Sequence, residues 1–252
     1  VIRANFFYIM KRIMVLFLLF FSLSAFANPI PVTITGGMPI IKNPNILFIS
    51  EIVKYTVDTE DRVTIDATYF FKNLQNETIN LTLLLPTLHR ASFVHIWKDG
   101  SLILKPNDDI QLGKVDGWEG ILVNISFPSR KICNLTLKYE MKLYKTSHFF
   151  KDSYHCIYYA STATYWNNSI NATFIIKVRD KLFSKGLKGF DREKRNGYIV
   201  ATKTFEAWKE YENIFFEWEV LNYKHIVMVI VTVVFIILML FAAFIRKMHN
   251  KV

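Results

Sequence analysis

Strict alternation of apolar and polar residues is the strongest signal in this chain. In residues 62–72, RVTIDATYFFK, the side chains of Val63, Ile65, Ala67, Tyr69 and Phe71 share one face, while Thr64, Asp66 and Thr68 share the other. That period of two marks a strand lying half-buried on a core. Residues 132–144, ICNLTLKYEMKLY, alternate more cleanly still, with Cys133, Leu135, Leu137, Tyr139, Met141 and Leu143 on the apolar side. Further strands are predicted at 47–57, 78–85, 92–97, 120–127, 154–161, 171–178, 198–204 and 214–220, separated by turn formers such as Lys98-Asp99-Gly100. Many short strands and no long amphipathic helix predict a mainly β fold: one or two antiparallel β-sandwich units, Ig-like or similar, with a barrel as the structural alternative. Residues 106–116 are the candidate division between two halves, although no true linker or internal repeat is present.

Two stretches depart from alternation by being apolar throughout. Met10 is followed by Lys11 and Arg12, then by the apolar residues 13–21 and by Ala25-Phe26-Ala27. Charged start, apolar run and small-residue site come in the order of a signal peptide, with cleavage expected after Ala27 and the natural start at Met10. The alternative is an N-terminal anchor, but the run is shorter than the ~20 residues a span requires. Residues 225–245 are long enough to cross a bilayer and carry no charge beyond His225 at their edge. Arg246, Lys247 and Lys251 follow in the tail 246–252, and such flanking positive charge marks the cytoplasmic side. The expected organisation is a leader 1–27, an exported β-rich ectodomain 28–224, one C-terminal transmembrane helix and a basic tail. Such an organisation is that expected of a single-pass type I membrane protein with its ectodomain outside the cytoplasm.

This reading changes the meaning of the charge. The formal net charge is +10, from 31 basic and 21 acidic residues. Six of the basic residues (Arg3, Lys11, Arg12, Arg246, Lys247, Lys251) flank the leader or the span, leaving 25 against 21 in the ectodomain. So small an excess does not bind a polyanion, and no nucleic-acid partner is expected. The local cluster 177–195 reads as a solvated basic loop, or else as a contact for anionic headgroups or an acidic partner.

Cys133 and Cys156 are the only cysteines. In an exported domain they suggest one disulfide, formed if residues 132–144 and 154–161 make a hairpin. The bridge would close a loop of about twenty residues and contribute roughly 3 kcal/mol. Sequons occur at Asn76, Asn80, Asn124, Asn134, Asn167 and Asn171; Asn80, Asn124, Asn134 and Asn171 fall on polar strand faces, where a glycan acceptor belongs.

No phosphate-binding loop, nucleophile elbow or paired metal-ligand motif is present. His89, His95 and Asp99 could be imagined around a metal, but their spacing is not diagnostic. No catalytic residue, metal or cofactor is assigned. The five tryptophans read as core and edge packing. Binding of a protein partner in the envelope is the favoured role. The alternatives are a membrane-anchored hydrolase or carbohydrate-active enzyme, and a viral or eukaryotic surface glycoprotein.

Gly36-Gly37, Ile49-Ser50-Glu51, the strand ending YFFKN at Asn73, and LLLP at 83–86 together resemble the opening of a bacterial exported family, domain of unknown function four-four-two-four. Residues 159–178, YASTATYWNNSINATFIIKV, are similar to a later segment of that family, and Thr204-Phe205 with Phe216-Glu217-Trp218 echo its end. The resemblance implies an envelope β protein and supplies no catalytic residue.

Overall fold

A computed structural model describes residues 32–35, 38–39, 43–86, 91–106, 108–109, 111–143, 145–147, 150–159, 166, 169–185, 187, 189–208 and 213–249. The leader, Gly36-Gly37, His89, His148 and Asn167 lie outside the described residues.

Among the described residues the molecule is mainly β, with one C-terminal apolar helix of membrane-spanning length. Its foundation is an eight-stranded sheet. In spatial order this contains β15 (Asp191–Arg195), β16 (Tyr198–Trp208), β13 (Ile170–Arg179), β3 (Ile46–Thr59), β4 (Arg62–Asn73), β10 (Ile132–Lys142), β6 (Ser92–Lys98) and β7 (Ser101–Leu104). The alternation seen in the sequence is the cause of its asymmetry. Val63, Ile65, Ala67, Tyr69 and Phe71 of β4 are buried, as are Cys133, Leu135, Leu137, Tyr139 and Met141 of β10, and the residues between them face outward.

Two smaller sheets cover the buried face. One contains β2 (Met38–Pro39), β5 (Ile79–Pro86), β9 (Trp118–Phe127) and β8 (Leu112–Val115); its Phe127 meets Phe71 edge-on, ring centroids 5.6 Å apart. The other contains β1 (Val32–Thr35), β12 (Lys151–Tyr159), β17 (Ile214–Leu221) and β14 (Phe183–Lys185), with β11 (Lys145–Ser147) also on β12. Its Phe216 lies 5.0 Å from Tyr55, and its Tyr158 5.0 Å from Phe174. One hydrophobic cluster runs through all three sheets. Strands from either side of residues 106–116 are interleaved, since β10 lies between β4 and β6.

Three details correct the sequence reading. The segment 177–195 is not one loop: it holds the end of β13, then β14 and β15. Two of the pairings, β1 with β12 and β3 with β13, are parallel. The hairpin meant to join Cys133 to Cys156 does not form, because β10 pairs with β4 and β6 while β12 pairs with β1, β11 and β17. Both cysteines are buried free thiols. Cys133 lies on β10 of the large sheet and Cys156 on β12 of a smaller one.

β17 passes through Asn222 into α1 (Tyr223–His249). Its stretch Tyr223–Ala243 is strongly apolar, and no part of that spanning window is buried against the β sheets.

Candidate functional site

The two edges of the large sheet differ in chemistry. β15 reads DREKR, and all five side chains are exposed. Such a charged edge repels a second strand, a common protection against edge-to-edge pairing. β7 reads SLIL and ends the sheet on the opposite side among the described residues. Its Leu102 and Ile103 are 49% and 41% exposed, and it carries no charge to protect it.

Phe93 on the neighbouring β6 extends this apolar surface. Lys138 pairs with His95 but Glu140 pairs with Ser92, so β6 has one residue more than β10 across that interval, a β-bulge. Phe93 sits in it with φ +53° and is 61% exposed. A bulky residue in the left-handed region is strained, since its Cβ crowds the backbone. On the same outward face His95 and Trp97 stack 5.4 Å apart, and His95 Nδ1 lies 3.0 Å from the Phe93 carbonyl. Leu102 is the register partner of Trp97. Below this edge the hairpin is closed by Asp99 (φ +49°) and Gly100 (φ +79°). Both positive angles are those of a type I′ turn, whose twist matches the strands. The result is an aromatic and aliphatic strip beside a strand edge that pairs with no further strand among the described residues.

A second concentration of polar chemistry lies inside. Glu51 on β3 is 1% exposed and is directly opposite Tyr69 on β4. Tyr158 of β12 donates a 2.6 Å hydrogen bond to Glu51 Oε2, joining the two sheets. Glu51 Oε1 and the hydroxyls of Tyr55 and Tyr69 have no hydrogen-bond partner among the described residues. Burial pushes the Glu51 carboxyl up to about 7, and the Tyr158 bond lowers it only in part. Burial likewise raises the phenols of Tyr55, Tyr69 and Tyr158 well above their ordinary value. Buried and bonded from one sheet to another, this cluster is a bolt between layers.

The predicted site residues are dispersed. Asn76, Asn80, Asn124 and Asn171 are exposed and Asn134 is half-buried. The Asn76 side chain accepts from Arg130 Nε at 2.8 Å, and that of Asn124 from the Thr82 hydroxyl at 2.6 Å. Asn171 Oδ1 accepts from the Ala207 backbone N–H at 3.0 Å. His155 forms an ion pair with Glu217 at 3.0 Å when protonated. Among the described residues no three His, Cys, Asp or Glu side chains converge as metal ligands. Trp166, Trp208 and Trp218 are buried; Trp166 packs on Phe48 and Phe71 at 5.9 and 4.8 Å.

No family model matches the chain, and no curated protein matches it by sequence. Its fold is similar to that of a Legionella pneumophila protein provisionally described as nutrient binding. The TM-score is 0.62 at 10% identity, over 75% of this chain and 71% of that one. At that identity the likeness shows a shared fold alone. An M1 zinc metallopeptidase of Deinococcus radiodurans superposes more loosely, with TM-score 0.42 and 13% identity over 71% of this chain and 43% of the peptidase. This chain spans less than half the length of that enzyme, and the superposition carries no argument about function.

Proposed function

We propose that this chain is a single-pass type I envelope protein whose ectodomain binds an extended segment of a partner protein along β7. The observation that carries the reading is the contrast between the sheet's edges: DREKR on one side, exposed Leu102 and Ile103 beside the strained Phe93 on the other. An added strand gains main-chain hydrogen bonds from the open edge, and the surface of Phe93, Trp97 and Leu102 reads its alternate side chains. The apolar α1 and the basic residues after it support anchoring with the ectodomain outside the cytoplasm. The resemblance to the exported family, domain of unknown function four-four-two-four, agrees with that compartment.

The test is photo-crosslinking in the native membrane, with the reactive side chain at position 102 or 103 and, for comparison, at 193 on β15. Adducts with one partner are expected from β7, and Leu102→Asp should abolish them while the protein stays in the membrane. No adduct from β7, or equal adducts from both edges, sinks the reading.

A further inference from the structure

The junction between β17 and α1 is short and fixed. Asn222 is the single residue between them, and it is held from several sides. Its backbone N–H donates to the Phe150 carbonyl at 2.8 Å, and its side-chain amide donates to Asp152 Oδ1 at 3.0 Å. Its own Oδ1 accepts from the His225 N–H at 3.3 Å and its carbonyl from the Ile226 N–H at 3.1 Å, so Asn222 also caps the helix. A helix tied to a sheet in this way has no free tether through which the β domain could drift.

Around this junction the surface turns apolar and aromatic. Phe150, Leu221 and Tyr223 are 51%, 49% and 67% exposed. Phe150 and Leu221 are neighbours, since Lys151 is the register partner of Leu221. Charges fringe the patch: Lys151 binds Glu219 at 2.8 Å and Lys145 binds Asp152 at 3.1 Å, with both lysines half-exposed. Lys224 projects from the first turn of the helix and is exposed. Aromatic rings with adjacent basic residues are the composition of the membrane–water boundary.

On the reading that α1 crosses the membrane, we infer that Phe150, Leu221 and Tyr223 form a collar that sinks into the headgroup region of that same bilayer. The occupant of this apolar surface is therefore lipid. The argument is continuity: the patch begins within one residue of the helix, and the Asn222 bonds keep it there.

The full-length chain, labelled with an environment-sensitive fluorophore through Phe150→Cys, should be reconstituted into phosphatidylcholine–phosphatidylglycerol vesicles. The comparison site is exposed Ile132. It lies ten residues along β10 from Lys142, about 30 Å away. The Lys142 end is near the membrane helix, because Trp218 of β17 donates to the Glu60 carbonyl and the Leu143 N–H donates to that of Asp61. The probe at 150 should be quenched by shallow nitroxide lipids, with quenching by aqueous iodide several-fold weaker than at 132. Equal iodide quenching at both sites overturns the inference. Protection from iodide without lipid quenching also overturns it, since a protein or second copy would then cover Phe150. Carbonate extraction separates the two readings: a chain released by carbonate refutes the span itself, whereas a retained chain with an open Phe150 refutes only the collar.

Discussion

Glu51 shows how one residue can tie stability to acidity. An unfolded carboxyl titrates near 4.5, and the buried one near 7. The native state therefore holds its proton more tightly. Its stabilising contribution is complete below about pH 4.5 and is lost as pH rises through 7, by roughly 3 kcal/mol in all. Urea unfolding of the β domain should show greater stability at pH 5 than at pH 8, and Glu51→Gln should flatten that difference by raising stability at pH 8. The signal was legible in the sequence, where Glu51 shares a face with Val53, Tyr55 and Val57. An acid in phase with a buried stripe has to be neutral or paired. The thiols make a second case. Burial pushes Cys133 up to about 11 and raises Cys156 further. Since the thiolate is the reactive form, neither should react with a thiol reagent until denaturant is added. Two equivalents should then appear without any reductant.

Among the elements, the long strands were readable because one face is buried and the other is not. Predicted residues 62–72 became Arg62–Asn73, and predicted 132–144 became Ile132–Lys142. The β15 edge was missed for the converse reason: with all five side chains exposed, nothing alternates. The cysteine hairpin failed because it assumed that successive strands pair, whereas β12 crosses to a different sheet from β10. The bulge at Phe93 was also hidden, since an inserted residue leaves no mark until the partner register is known. It permits a discriminating test. Phe93→Gly relieves the left-handed strain and should stabilise the fold by about 1 kcal/mol, while weakening capture of the partner. A gain in thermal stability with unchanged binding would mean that the bulge serves the strand and not the surface.

For the whole molecule, the mainly β class and a C-terminal apolar helix of membrane-spanning length were legible, but the arrangement of one large sheet beneath two small ones was not. Apolar faces say that a strand is covered and leave open by what; the layers are fixed by contacts such as Tyr158 with Glu51, 107 residues apart in sequence. Because the core cluster ends at β17 and α1 adds nothing to it, a chain ending at Asn222 should fold. It should leave the membrane fraction with far-ultraviolet circular dichroism typical of β structure. Insolubility of that product would show that the helix supports the sheets.

The parallel pairing of β3 with β13 has a consequence for biosynthesis. Ser50 waits for Asn171, so the middle of the large sheet stays half-finished while most of the β domain is still emerging. Folding that depends on such distant partners is slow, and an open central strand invites strands from other chains. Newly made molecules are therefore expected to need an escort that shields β3 until β13 arrives. Depletion of such an escort should send the protein into aggregates before any mature copy is lost.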